Sequence, residues 1–441
     1  MDVAERVARN LAAALLAGTW TRRSLLKRTE AVLGRRTKKA QQVLIQALVE
    51  ALTVAYPPSP DWLVTFFLRS SAFKQAAGGK IKNPLSVKPV LEKPKFAPAP
   101  RFSDLAVPRL ATLGDLAKWL QLSINQLDWL SDAKRQHAST DIPILQHYRY
   151  AFVPKKTGAP RLVEIPKPKL MAIQRRILHE ILDLLPTHDS AHGFVSGRSC
   201  LSAAQVHANE SIVVTVDLKD FFLNTRLSRV HHIFRSLGYP WAVARILTGL
   251  CSSSTPRSVF SSVPKAQRHD WLTQKVYQSP HLPQGAPTSP ALANLAAWHL
   301  DVRVRGLAKT CGANYTRYAD DLAFSGDSDF ALKVKSFLAG IDEIAKSEGF
   351  TLNDRKTRVM RRGGCQRVTG IVVNDHINVP RVLFDELKAT LHNCRRNGPV
   401  AENRAGLRDF RAHLNGKVTW VEQVNPARAE RLRRMFNEIK W

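Results

Sequence analysis

Acidic residues are scarce in this sequence: 36 Asp and Glu stand against 66 Lys and Arg, so its 441 residues carry a net charge of +30. A compact chain with that excess repels itself, and a polyanionic partner is the usual reason to keep it; the bland alternative is a merely basic, soluble surface. Cysteines are few and scattered: Cys200, Cys251, Cys311, Cys365 and Cys394, none in a C-x-x-C pair. That excludes a disulfide framework and a cysteine-based zinc site, and fits a reducing compartment. Long apolar runs are missing as well. The smoothest, Leu11 to Ala17, is too short to span a bilayer, and Asp2 and Glu5 ahead of it are wrong for the basic start of a signal peptide. It reads as one face of a helix, and the chain as a cytoplasmic protein with no membrane partner. Absent too are G-x-x-x-x-G-K-[ST], G-x-S-x-G and H-E-x-x-H. His231-His232 and the pair His188 and His192 have no Cys or acid at ligand spacing, so they read as surface or structural.

What is there is globular: hydrophobic residues make up 44% of the chain, enough for two or three domains. Residues 1–73 read as a helical, basic extension. Leu11, Leu15 and Leu16 share a face, as do Val43, Leu44, Ala47, Leu48 and Leu52, and Pro57-Pro58 stops that helix. Arg22, Arg23, Lys27, Arg28, Arg35, Arg36, Lys38 and Lys39 decorate it, either for nucleic acid or for solvent. Over 74–108 lysines and prolines alternate, which predicts an extended linker. A helical stretch Leu113 to Leu130 follows, with Ser123 placed to cap its second half.

After about residue 145 the pattern becomes mixed. Tyr150 to Val153 and Arg161 to Ile165 read as strands, Leu170 to Leu185 as a helix, and Ser211 to Val216 as a buried strand. Tyr315 to Phe324 reads as a hairpin with acids at its tip. Ala331 to Lys346 and the basic stretch from Pro380 read as helical. The buried strand ends in Asp217, and the hairpin tip carries Asp320-Asp321. Carboxylates so crowded either take up protons or bind cations. A pair of divalent metals roughly 4 Å apart would neutralise them and clamp both oxygens of a phosphoryl transfer. Oxygen ligands favour magnesium, with manganese as the alternative. Each motif alone is weak, since adjacent Asp residues usually sit on a solvated turn.

Their order gives more. Tyr318-Ala319-Asp320-Asp321 resembles the Y-x-D-D box of the reverse transcriptase family, and Asp217 resembles the opening of that family's first acidic motif. Leu282-Pro283-Gln284-Gly285 resembles its glutamine loop, Gly349 to Thr357 its lysine segment, and Tyr150 to Arg161 its fingers strands. The resemblance covers residues from about 110 to 380. It implies an α+β, right-hand polymerase fold: fingers over 109–200, palm over 201–380 and a helical thumb over 381–441, behind the basic extension. It implies metal ligation by Asp217, Asp320 and Asp321, and triphosphate binding by Arg161 with Lys155 or Lys156. Gln284 would shape the nucleotide pocket, and Lys356 would meet the phosphates or be a solvated lysine. Phe222 stands where the family places the aromatic that excludes a 2′-OH; otherwise it is a core Phe.

Within the family, Ala286-Pro287-Thr288-Ser289-Pro290 and Val368-Thr369-Gly370 resemble bacterial retron signatures. A third signature, Asn-Ala-x-x-His, is only partly kept in Ala203 to His207, where Ala replaces Asn. The likeness implies a non-coding RNA partially copied into single-stranded DNA from a guanosine 2′-OH, with dNTPs as substrates. A partner effector in phage defence also belongs to that likeness. His207 and Thr369 would contact the RNA, unless His207 is a satisfied surface histidine. Arg428, Arg431 and Arg434 suit backbone grip beside Trp420, Phe436 and Trp441, unless those aromatics are core. The competing readings are a group II intron or diversity-generating enzyme, or a non-catalytic RNA-binding scaffold.

Overall fold

The computed structural model describes residues 2–17, 20–34, 37–51, 60–82, 94–132, 140, 142–154, 159–261, 263 and 269–441. The chain divides into two compact units, Met1–Leu185 with Arg226–Leu292, and Pro186–Thr225 with Ala293–Trp441. No helix among the described residues is long and apolar enough to cross a membrane.

The first unit begins with five helices: Val3–Leu16, Arg22–Leu33, Lys38–Ala51, Pro60–Arg69 and Ser71–Lys82. They share a core of their own around Leu11, Leu15, Leu44, Leu48, Phe67 and Phe73. In the third helix the buried face is Gln41, Leu44, Ile45 and Leu48, at i, i+3, i+4, i+7, while Val43 points outward. The expected stripe was therefore rotated, because Ile45 and not Val43 completes the turn-to-turn spacing. The helix over 71–82 also crosses the expected start of the linker. Its Ala76 and Ala77 are buried, and that burial extends the helix to a kink at Gly78 (φ +37°). Much of the Lys/Pro stretch, 83–93, lies outside the described residues.

The predicted helical stretch from Leu113 is two helices, Leu113–Leu120 and Ile124–Ser131. Each opens on a reciprocal capping box, Thr112 with Asp115 and Ser123 with Gln126. Strands β1 (Tyr148–Val153) and β2 (Arg161–Pro166) form an antiparallel ribbon, followed by the helix Pro168–Glu180. Residues 226–292, read from the sequence as palm, cluster with this unit. Gly249 lies so close to Ser131 that a Cβ would fall 2.2 Å from its carbonyl oxygen, and Gln174 donates to the carbonyl of Leu250 at 2.8 Å.

The second unit is built on a four-stranded antiparallel sheet. Its strands are β3 (Ile212–Asp217), β4 (Asn314–Tyr318), β5 (Asp321–Gly326) and β6 (Arg358–Arg361), in the order β4-β5-β3-β6. Strand β3 is central and its Val, Ile and Thr residues suit a position covered on both faces. Val214 and Phe324 are cross-strand partners, and the Phe324 ring meets Phe337 of the helix Ser328–Ser347, centroids 4.9 Å apart. Val213 and Ala323 join a second core with the C-terminal helices Arg381–Asn397, Phe410–Val424 and Pro426–Asn437. A small ribbon, β7 (Arg367–Val368) with β8 (Ile371–Val372), contributes Val368 and Ile371 to it.

Candidate active site

The second unit brings the three acids together through backbone pairing. Asp217, the last residue of β3, sits in register opposite Asp321, the first of β5. The Leu218 N–H donates to the Asp320 carbonyl at 2.9 Å, and the Asn353 N–H to the Asp217 carbonyl at 2.8 Å. Between the strands Ala319 adopts φ +56°, a left-handed conformation that reverses the chain in the shortest span. Asp217 is nearly buried. Its Oδ1 accepts from the Asn353 side chain at 2.8 Å and its Oδ2 from the Lys356 ammonium at 2.7 Å. Partial burial, then the Asp320 and Asp217 carboxylates, push the Asp321 pKa up to about 6; Lys356 pulls the other way. Burial alone would lower the Lys356 pKa, but its bond to Asp217 and the surrounding acids raise it, so it stays cationic.

These donors fit a hard divalent cation in kind: three carboxylates in one place, one already drawing a cation and another whose pKa its surroundings raise. As the side chains stand, no group of three His, Cys, Asp or Glu among the described residues is gathered into a ligating set. Lys356 supplies positive charge to Asp217 instead. A cleft of about 710 Å³ opens on this site, lined by Asp217, Tyr318, Asp321, Lys356, Arg358 and Thr369.

Phe222 is half-buried, not core; that place belongs to Phe221, which packs on Phe350 with centroids 5.6 Å apart. The Phe222 ring lies 6.3 Å from that of Phe194. Thr369, in a left-handed conformation at φ +50°, donates to the Val368 carbonyl at 2.8 Å and approaches that of Cys200 at 3.3 Å.

His207 is corrected by the structure. It is fully buried, Nδ1 lies 2.8 Å from the Ser325 hydroxyl and Nε2 2.7 Å from that of Thr316, and burial pushes its pKa down to about 3. A neutral imidazole bridging two hydroxyls inside the fold has no face left for RNA. Arg428 is committed inward as well, over the Phe384 ring at 4.6 Å and donating to Asn378 at 3.2 Å. Arg431 and Arg434 are exposed. Phe436 is core, whereas Trp441 is 40% exposed.

In the first unit, Arg161 is exposed at the start of β2, and Lys155 and Lys156 lie outside the described residues. The Gln284 carbonyl accepts from the Glu164 N–H at 2.9 Å, and Gly285 (φ +133°) passes so close to β2 that a Cβ would fall 2.7 Å from the Glu164 carbonyl oxygen. Beneath the loop lies a buried pair that the sequence reading missed. His281 Nε2 is 2.6 Å from the Glu164 carboxylate and Nδ1 2.7 Å from the Ser279 carbonyl, while Thr255 donates to Glu164 at 2.9 Å. The Ser279 carbonyl can only accept, as can an ionised Glu164 carboxylate, an arrangement that favours the protonated ring over the neutral one. Burial would lower its pKa, but Glu164 outweighs burial and raises it. Also missed was Arg317, fully buried beside the Ala319 turn with Asp301. An arginine at an inward position of β4, one residue before Tyr318, was its only signal.

Residues 153–389 match the family model described as reverse transcriptase (RNA-dependent DNA polymerase). The chain is 41% identical to the retron Mx65 reverse transcriptase of Myxococcus xanthus, covering 66% of this chain and 64% of that one. It is 35% identical to the retron Mx162 reverse transcriptase of the same organism, covering 74% and 66%. To the retron Ec86 reverse transcriptase of Escherichia coli it is 31% identical, covering 70% and 86%. The matches thus span just under two thirds of the two Myxococcus relatives.

Proposed function

The chain belongs to the reverse transcriptase family, of the bacterial retron type, and on that premise we propose that it is an RNA-directed DNA polymerase making retron DNA. The observation that carries this is the pairing of Asp217 against Asp321, with Asp320 in the turn between strands. In the proposed reaction a hydroxyl oxygen attacks the α-phosphorus of a dNTP, a new P–O bond forms, and the bond to pyrophosphate breaks. Magnesium, or manganese, held by Asp217, Asp320 and Asp321 would supply charge neutralisation at the attacking and leaving oxygens. Phe222 bars a 2′-OH. Arg161 with Lys155 or Lys156, and the cationic Lys356, meet the charge on the β- and γ-phosphates. Gln284 shapes the nucleotide pocket from a loop fixed to β2. Thr369, Arg431 and Arg434 hold RNA.

The finer reading is that a guanosine 2′-OH of the enzyme's own non-coding RNA is the primer, which requires that oxygen within about 3–3.5 Å of the α-phosphorus. The Thr369 turn beside the cleft supports it. We further read the protein as cytoplasmic and paired with an effector protein in phage defence, on the strength of the retron likeness alone. The test supplies the purified chain with its RNA and dNTPs but no primer. The expected product is DNA covalently joined to RNA and released by a 2′,5′-debranching enzyme. Synthesis that demands an added 3′-OH primer, or a product unchanged by debranching, removes the 2′-OH reading and leaves the polymerase reading standing.

A further inference from the structure

Phe194 is an unusual residue in an unusual place. Its ring is 52% exposed, and its backbone is left-handed at φ +59°, a region that bulky residues rarely adopt. The ring centroid lies 6.3 Å from Phe222 and 6.4 Å from Tyr318. Tyr318 immediately precedes the catalytic turn, so three aromatic rings stand together beside the carboxylates.

The placement of Phe194 is built from below. Asn294, buried, donates to the Gly193 carbonyl at 2.7 Å and accepts from Arg317 at 2.8 Å. Arg317 makes two further bonds to Asp301, at 2.7 and 2.6 Å, and one to the Ala319 carbonyl at 3.1 Å. Tyr315 adds a bond to Asp301 at 2.8 Å. One buried chain, Asp301–Arg317–Asn294, therefore holds the carbonyl before Phe194 and the carbonyl before Asp320. The two turns also touch directly: a Cβ on Gly193 would fall 2.6 Å from the Ala319 nitrogen. Both left-handed residues, Phe194 and Ala319, are fixed by the same guanidinium.

We infer that Phe194 is a specificity-determining residue that joins Phe222 and Tyr318 in one wall against the sugar of the incoming nucleotide, and that Asp301, Arg317 and Asn294 are its positioning residues. This rests on the polymerase reading. Two phenyl rings offer the C–H face of a deoxyribose an apolar surface and offer a 2′-OH no hydrogen-bond partner, so a ribonucleotide would bury an unsatisfied hydroxyl.

The test is single-nucleotide extension of a primed RNA template with dTTP or UTP, comparing the unmodified chain with Phe194→Ala and Phe194→Tyr. For Phe194→Ala, the KM for dTTP should rise roughly tenfold with kcat within about threefold, and the preference for dTTP over UTP should fall by a similar factor. Phe194→Tyr should restore both, and Asn294→Ala should shift the preference in the same direction. An unchanged KM and preference in Phe194→Ala, or equal losses for dTTP and UTP, would overturn the inference while leaving the polymerase reading intact. If the unmodified chain extends nothing, the polymerase reading fails and takes this inference with it.

Discussion

Asp321 favours its proton because partial burial and two neighbouring carboxylates oppose the charge. Its folded-state pKa, about 6, lies above the ordinary carboxylate range, so the stability it contributes is full at low pH and lost as pH rises through 6. A divalent cation reverses that penalty. Magnesium should therefore raise the melting temperature clearly more at pH 7.5 than at pH 5, and an equal rise at both would disconnect Asp321 from the metal. His207 gives a second expectation at this scale. Replacing it by Ala leaves two buried hydroxyls and a cavity, which should cost about 2–4 kcal/mol of stability while the affinity of the folded protein for RNA stays unchanged. Weaker RNA binding at unchanged stability, measured by filter binding and urea unfolding, would return His207 to the interface. The acids were legible because they stand at a strand end and a hairpin tip. His207 was not, because a partial motif ending just past a helix does not say which way its last residue faces.

At the scale of elements, the Gln284 loop is fixed to β2 by the buried His281–Glu164 pair. A raised imidazole pKa contributes stability that is full below the ordinary imidazole range and lost as pH rises through the higher folded value. Glu164→Ala leaves the ring buried and unpaired and should cost about 3–5 kcal/mol at pH 6, with less difference from the unmodified chain at pH 9. Urea unfolding at both values checks this; a pH-independent difference would mean that the pair is not ionic. The strands β1 to β5 could be read from alternation and β-branched runs, and the split of the helix at Ser123 from its cap. What could not be read depends on distant packing: the burial of Ile45 in place of Val43, and the grouping of 226–292 with the first unit. The Glu164 and His281 side chains, 117 residues apart, meet only in the fold.

For the whole molecule, the excess of 30 positive charges should make RNA binding fall steeply with salt. Arg431→Ala, at an exposed position of the last helix, should lower the salt slope by about one unit if it touches phosphate. Arg428→Ala should change the slope less, because its guanidinium is held over Phe384. A salt-independent affinity would assign the charge to something other than nucleic acid. The five helices described between Val3 and Lys82 lie outside the stretch matched to the family model, yet they share a core of their own.

On the proposed function, three carboxylates do the chemistry while the basic surface supplies affinity. The most direct measurement is extension of a primed RNA template with dNTPs and magnesium by the unmodified chain, Asp217→Asn and Asp320→Asn, with RNA binding followed in parallel. Extension is expected from the first, with a loss of at least about a hundredfold in the other two and RNA affinity within about threefold throughout. Extension by either variant at near the unmodified rate would contradict the proposed function.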